Sequence, residues 1–138
     1  ISQERLFLAR YLNNFNRSQP IYLVPVPLHP RRLRERGFNQ AKVLADILEK
    51  YFVDWGFQVQ VLECLKRARH TSQQARLSPT ARQKNLQGAF VWEQKNNVPE
   101  QVILVDDVFT TGFTACECVQ VLQTKGVKKI GMIVLAHG

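Results

Sequence analysis

The sequence predicts an α/β domain in which helices flank a central, mostly parallel sheet. Short runs of β-branched residues alternate with segments of helical periodicity, and the run VILV at 102–105 is apolar enough for a strand buried on both faces. Strands that alternate with helices form parallel sheets through right-handed crossovers. With 138 residues the chain can bury one core, so we expect a single domain over residues 1–138.

The first 37 residues predict a helix, a strand and a basic loop. Residues 2–16 carry apolar side chains at helical spacing, which indicates an amphipathic helix packed on the sheet. Residues 21–26, IYLVPV, predict a short strand whose far end leaves the sheet, because Pro25 and Pro27 have no amide hydrogen to donate. The following HPRRLRERG predicts a stiff loop rich in cations.

The clearest helix lies at residues 38–51, where apolar side chains follow the i, i+3, i+4 rule. Asn39 is a good N-cap, a role that explains this residue without any function, and Phe38 and Val43 are placed for a hydrophobic staple. Residues 58–62 alternate in polarity and predict a second strand.

Residues 66–87 are long for a connection in a compact domain and contain few apolar side chains. They predict either a functional loop or a locally disordered segment. Their lysines and arginines could follow a nucleic-acid backbone, but no aromatic residue is interleaved with them, so base stacking has weak support here. A short strand at 88–93 follows.

The candidate site lies in QVILVDDVFTTGFTACECVQVL, residues 101–122. Asp106 and Asp107 follow the buried strand, at the edge where α/β proteins bind ligands, and carboxylates accept hydrogen bonds from ribose hydroxyls. The next turn combines hydroxyls, a glycine and a helix start, which suits a phosphate. It comprises Thr110, Thr111, Gly112, Phe113 and Thr114. The pattern predicts a ribose 5-phosphate site.

An alternative interpretation makes this turn purely structural, with Thr114 and Glu117 forming a capping box. Neither a Walker loop nor a G-x-G-x-x-G motif is present. Beyond the turn, residues 115–122 predict a helix that Lys125 and Gly126 terminate, and residues 130–135 predict a final buried strand.

Two stretches resemble a known family. VILVDDVFTTGFT resembles the ribose-phosphate signature of type I phosphoribosyltransferases, and with VPVPLHPRRLRERGFNQA at 24–41 the chain resembles the ComF family, which is associated with DNA uptake in competent bacteria. The resemblance covers nearly the whole chain. It implies the type I phosphoribosyltransferase-like fold, with three layers.

The resemblance also assigns roles to residues. Asp106 and Asp107 would hold the ribose hydroxyls and stabilise positive charge on the ring, and residues 110–114 would bind the 5-phosphate. Residues 66–87 would be a mobile lid. A pyrophosphate site is implied at Val26, Pro27, Leu28, His29, Arg31, Arg32, Arg36 and Arg67. His29 could be a general base, a phosphate contact or polar surface. Mg²⁺ would bind mainly through substrate oxygens and water, with no protein metal site.

Two functions are therefore expected. The first is binding of 5-phosphoribosyl 1-pyrophosphate or a related nucleotide, with phosphoribosyl transfer to a nitrogen nucleophile if turnover occurs. The second is a binding module for single-stranded DNA or for other competence proteins, with a regulatory or vestigial nucleotide site. A transcription regulator of the same fold finds no support, since no helix-turn-helix is recognisable.

Composition narrows the setting. The net charge of +8 is concentrated in two segments, residues 31–36 and 66–84, which favours a polyanionic partner. The three cysteines form no metal knuckle, and no leader or membrane span is recognisable, so we expect reduced thiols, Cys118 in the core and a cytoplasmic protein. The zinc module that often precedes this domain in the family is absent from the sequence, and the start at Ile1 predicts a piece of a longer protein.

Overall fold

The computed structural model describes residues 2–67, 88–94, 97–109 and 112–137. Helices and strands alternate along most of the chain, as the sequence predicts. The helices are α1 (Gln3–Leu12), α2 (Pro30–Arg36), α3 (Gln40–Asp54) and α4 (Phe113–Thr124). The strands are β1 (Ile21–Pro25), β2 (Val59–Val61), β3 (Leu65–Arg67), β4 (Phe90–Trp92), β5 (Gln101–Phe109) and β6 (Lys129–His137).

Four strands form the central sheet in the order β2-β1-β5-β6, and each neighbouring pair is parallel. The pairing aligns Val24 with Leu104 and Leu104 with Met132. Strands β3 and β4 form a separate antiparallel pair. The predicted α/β class with a mostly parallel sheet is confirmed.

Helices and the small hairpin cover the two faces of the sheet, which gives three layers. On one face, side chains of α1 and α3 such as Leu12 and Phe52 pack against Ile103 of β5. On the other face, Leu122 of α4 packs with the hairpin against Leu104. Alternate residues of β5 therefore enter different cores, as the two-residue period of a strand requires.

Local signals explain where the helices begin and end. Asn39 caps α3 as predicted, because its Oδ1 accepts a hydrogen bond from Ala41 N at 3.0 Å. The residue that precedes α4 is Gly112 with φ 81°, so Thr114 lies inside the helix and the capping-box interpretation is wrong. Cys118 is fully buried in the core, as expected.

Four details differ from the predictions. The basic segment is the helix α2 and not a loop, because Pro30 suits the first helical position and His29 caps it. Strand β5 continues through both aspartates, since β6 still pairs with it there. Strand β6 is a half-exposed edge strand, with Leu135 71% exposed. Strand β3 was not predicted, because its three residues are too few to show a period.

No helix in the described part of the chain is both long and apolar enough to cross a bilayer.

Candidate functional site

The candidate site lies where the parallel strands end at their carboxyl edge. Strand β1 pairs with β5 only as far as Pro25 and Val105, and one further bond, from Val26 N to Val105 O at 2.9 Å, closes that ladder. Beyond it β5 continues with β6 alone. The β1–β5 ladder therefore ends just before Asp106 and Asp107, at the carboxyl edge of the sheet, where open α/β sheets bind ligands in a crevice.

The two aspartates interact with each other. Asp106 Oδ1 accepts a hydrogen bond from Asp107 N at 2.9 Å, and the two side chains are half-buried. Burial raises the pKa of Asp106 to about 7, and the hydrogen bond to the Asp107 carboxyl adds to this effect. A proton shared between neighbouring carboxyl groups is what such crowding favours. This pair can accept hydrogen bonds from hydroxyls or stabilise a nearby cationic centre.

Helix α4 begins close in sequence to the aspartates. Gly112 has the left-handed φ of 81°, and Phe113 and Thr114 follow it with half-buried side chains. The first intrahelical bond runs from Cys116 N to Gly112 O at 2.9 Å, so the amides of Thr114 and Ala115 have no partner within the helix, and such a helix start can bind an anion. Thr110 and Thr111, the other two predicted phosphate contacts, lie outside the described residues.

Residues 26–29 connect the end of β1 to α2. Val26 is buried, whereas Pro27, Leu28 and His29 are half-buried. His29 Nδ1 accepts a hydrogen bond from Arg31 N at 3.1 Å, so this nitrogen serves as the cap of α2. This role as a helix cap was not among the three considered for His29, and its part in catalysis or phosphate binding stays a prediction.

Three of the four arginines predicted for pyrophosphate lie on α2 and are exposed. Arg31 pairs with Glu35 at 3.5 Å, and Arg36 donates to Gln40 Oε1 at 3.1 Å. Arg32 is also exposed. The contact of these side chains with pyrophosphate stays a prediction.

The fourth predicted arginine is Arg67, the last residue of β3. Its guanidinium lies over the Phe90 ring, 5.3 Å from the ring centroid. Cys118 links it electrostatically to the aspartates: burial raises the pKa of that thiol, the charge of Asp106 raises it further, and the charge of Arg67 lowers it. The charges of Arg67 and Asp106 thus act in opposite directions on the same buried sulfur.

A cleft of ≈ 380 Å³ separates the loop at 26–29 from β3. It brings together three predicted site residues, Pro27, Leu28 and Arg67, with side chains that sequence reasoning did not assign to a site. The latter are Pro25, Pro30, Leu33, Asn39, Lys42, Glu63, Leu65 and Lys66. Lys42 faces this cleft and has a raised pKa because it donates to Asp46 at 2.6 Å.

Sequence reasoning missed Asn39 and Lys42 because their positions at the start of α3 are already explained by capping and by an i, i+4 ion pair. No local signal reveals the second role of Asn39, because its bond to Val26 spans 13 residues of chain.

Comparison with known proteins identifies relatives. No family model matches the chain. It is 39% identical to Competence protein F of Haemophilus influenzae over 120 residues, which are 86% of this chain and 51% of that protein. It is 36% identical to DNA utilization protein YhgH of Escherichia coli over 115 residues, or 80% of this chain and 47% of the relative.

A third relative is Competence protein ComFC of Bacillus subtilis, 32% identical over 132 residues, which are 87% of this chain and 47% of that protein. The chain thus spans about half the length of the curated relatives that it matches. The chain belongs to the ComF family.

Proposed function

We propose that the crevice binds 5-phosphoribosyl 1-pyrophosphate or a related ribose 5-phosphate nucleotide. The observation that carries this proposal is the half-buried pair Asp106 and Asp107, which directly follows Val105, the residue whose carbonyl binds Val26 N, and which precedes α4 in the chain. A ribose bound at the pair would direct its 5-phosphate to one side and its pyrophosphate to the other. Both sides offer backbone amides or cations.

The chemistry of the pair suits vicinal hydroxyls. Ribose hydroxyls donate hydrogen bonds, and ionised carboxylates only accept them. Because the pKa of Asp106 is raised to about 7, a ligand that donates hydrogen bonds to the ionised form would lower this pKa and release a proton. Binding near neutral pH should therefore be accompanied by proton release.

Mg²⁺ fits this arrangement as a partner of the ligand. No group of three His, Cys, Asp or Glu side chains within the described ranges could hold a metal ion by itself. Mg²⁺ is usually bound by one or two carboxylates with substrate phosphates and water, and Asp106 and Asp107 are the carboxylates at hand. When bound, it would neutralise the charge of the pyrophosphate.

If the site turns substrate over, the reaction would transfer the phosphoribosyl group to a nitrogen nucleophile with loss of pyrophosphate. Positive charge would develop on the sugar ring as the pyrophosphate leaves. The carboxylates of Asp106 and Asp107 would stabilise that charge electrostatically. A half-buried crevice strengthens this interaction, because water screens it less there.

Titration calorimetry with the phosphoribosyl donor and Mg²⁺ tests the proposal. We expect binding by the wild-type chain and loss of binding in Asp107→Ala. Because a proton is released, the observed binding enthalpy should vary with the ionisation enthalpy of the buffer. Asp54→Asn, which changes an exposed carboxylate at the end of α3, is the matched control and should bind normally. Equal affinity of Asp107→Ala and the wild type would refute the assignment.

Single-stranded DNA is a second candidate ligand, and the surface of α2 favours it. The helix exposes four arginines, and Phe38, 49% exposed, follows directly after it. Arginines beside an exposed aromatic ring are typical of surfaces that bind a phosphate backbone and stack a base. The names of the relatives, competence and DNA utilization proteins, support this candidate.

Fluorescence anisotropy with short, fluorescently labelled single strands of different sequences tests the second candidate. We expect affinity that falls steeply with salt and that Phe38→Ala or Arg32→Ala weakens severalfold. Arg10→Ala on α1 is the control for a lost exposed arginine. Binding that is insensitive to both Phe38→Ala and Arg32→Ala would remove this surface from the interface.

A further inference from the structure

Asn39 makes two hydrogen bonds that join two different elements. Its Oδ1 accepts from Ala41 N at 3.0 Å and caps α3, while its Nδ2 donates to Val26 O at 3.1 Å. The second bond crosses 13 residues of chain to the end of β1. Capping therefore accounts for only half of what this half-buried side chain does.

The side-chain chemistry explains why asparagine occupies the position. Serine and aspartate cap helices as well as asparagine does, because a cap needs only an acceptor. An ionised aspartate has no hydrogen to donate, and a serine hydroxyl, although it can accept and donate at once, is shorter than the amide and would lie farther from the carbonyl that is 3.1 Å from the Asn39 amide nitrogen. The bond to Val26 is thus specific to asparagine at this site.

Val26 is the last residue before the loop turns away from the sheet. Its N–H is held by Val105 O at 2.9 Å and its carbonyl by Asn39, so the peptide groups on both sides of Val26 have fixed orientations. At the other end of the loop, His29 receives bonds from Arg31 N and from Leu33 N, the latter at its carbonyl at 3.0 Å. Residues 27 and 28 are suspended between two fixed ends.

We infer that Asn39 is the positioning residue of the loop at 26–29, and that its bond to the Val26 carbonyl sets this loop in the orientation that receives an inorganic pyrophosphate group. The inference rests on the proposed function for the identity of the ligand. Asn39 lines the cleft beside Pro27 and Leu28, so a change at Asn39 acts directly on that wall.

The decisive variant is Asn39→Ser, which keeps the cap, adds no charge and removes the donor to Val26. Binding of two probes is compared by calorimetry in the presence of Mg²⁺: inorganic pyrophosphate, which the loop would hold, and ribose 5-phosphate, which Asp106, Asp107 and α4 would hold. We expect pyrophosphate affinity to fall roughly tenfold, as for one lost hydrogen bond, with ribose 5-phosphate affinity unchanged.

Stability separates positioning from folding. The melting temperature of Asn39→Ser should stay close to that of the wild type, since the cap is kept. Ser2→Ala, which removes the N-cap of α1 whose Oγ accepts from Arg5 N at 3.1 Å, should lower the melting temperature without changing either affinity. Amide exchange in the unliganded protein should become faster at residues 28–33 in Asn39→Ser alone.

The outcomes distinguish this inference from the proposed function. Unchanged pyrophosphate affinity in Asn39→Ser, or an equal loss for both probes, overturns the positioning role. Wild-type protein that binds pyrophosphate but not ribose 5-phosphate overturns the proposed function and leaves Asn39 to be judged by pyrophosphate alone. Wild-type protein that ignores pyrophosphate overturns the inference. Failure of both Asn39→Ser and Asn39→Asp to fold would show that the Val26 bond serves the whole fold, and also overturns it.

Discussion

The two ends of β5 each carry a buried or half-buried polar side chain, but only the one at the amino end has its hydrogen bonds satisfied. At the amino end, Gln101 is 3% exposed, and its amide makes three hydrogen bonds to the turn at residues 16–19. At the carboxyl end, Asp106 is crowded by a second carboxyl group, and its pKa is raised to about 7. One strand thus carries a satisfied group and a crowded one, five residues apart.

This difference separates what holds the fold from what serves the site. The Gln101 amide contains a donor and an acceptor, and the turn offers one N–H and two carbonyls in matching positions, so burial costs little. Two neighbouring carboxyl groups have no donor between them unless one is protonated. Such an arrangement weakens the fold and is retained where a ligand relieves it.

The largest effect is expected from Gln101→Ala. The substitution leaves Asn16 N, Asn16 O and Gln19 O without their side-chain partner and opens a small cavity. We expect a loss of about 2–4 kcal/mol in the free energy of unfolding, measured by urea denaturation at pH 7. The binding of ribose 5-phosphate by the protein that remains folded should not change.

Gln120→Ala is the matched control, because Gln120 is an exposed glutamine on α4. It should stay within about 0.5 kcal/mol of the wild type. A loss in Gln101→Ala no larger than in this control would show that the hydrogen bonds of Gln101 do not stabilise the amino end of β5.

The second effect concerns the contact between β5 and the edge strand β6, where Gly131 pairs with Ile103. A Cβ at Gly131 would collide with the Tyr11 hydroxyl and would lie 2.9 Å from Phe15 Cζ. That hydroxyl accepts from Met132 N at 2.9 Å and donates to Met132 O at 3.4 Å, so it covers the open edge of β6. Gly131→Ala should therefore cost about 1–3 kcal/mol.

A double-mutant cycle with Tyr11→Phe measures how much of this cost comes from the hydroxyl. In the Tyr11→Phe background, which lacks the colliding atom, Gly131→Ala should cost less than in the wild type. Strict additivity of the two substitutions would mean that the Tyr11 hydroxyl contributes nothing to the cost of Gly131→Ala.

Particular residues show how far sequence carried these conclusions. The apolar run of β5 and the helical period of α3 follow from their core contacts and were predictable, because burial on both faces or on one leaves a periodic pattern. The end of β5 was not predictable, since Asp106 and Asp107 stay in the strand only because β6 lies beside them. Strand register is a long-range property without a local signal.

The candidate site divides in the same way. The acids and the glycine of the turn were predictable because their chemistry is carried by the side chains themselves. The bond from Asn39 to Val26 was not, because it depends on where two distant segments meet. The helix α2 was missed because its seven residues, four of them arginines and one a leucine, give no amphipathic stripe.

The smallest of the three effects is a gain in stability, and it tests the carboxyl end directly. The pKa of Asp106 rises from 3.8 to about 7 on folding, so the folded protein holds this proton more tightly than the unfolded chain does. Its stabilising contribution is complete below pH 4 and is lost as the pH rises towards 7. Asp106→Asn, which cannot ionise, should remove this decline.

Urea denaturation at pH 4.5 and pH 8 measures the difference. Relative to the wild type, Asp106→Asn should gain roughly 1–2 kcal/mol more at pH 8 than at pH 4.5, a figure reduced from the full pKa shift because water reaches part of the carboxyl. Asp54→Asn, at an exposed carboxylate, should show no such difference. A wild-type profile parallel to that of Asp106→Asn would mean that the aspartates are not crowded, and the contrast between the ends of β5 would then rest on Gln101 alone.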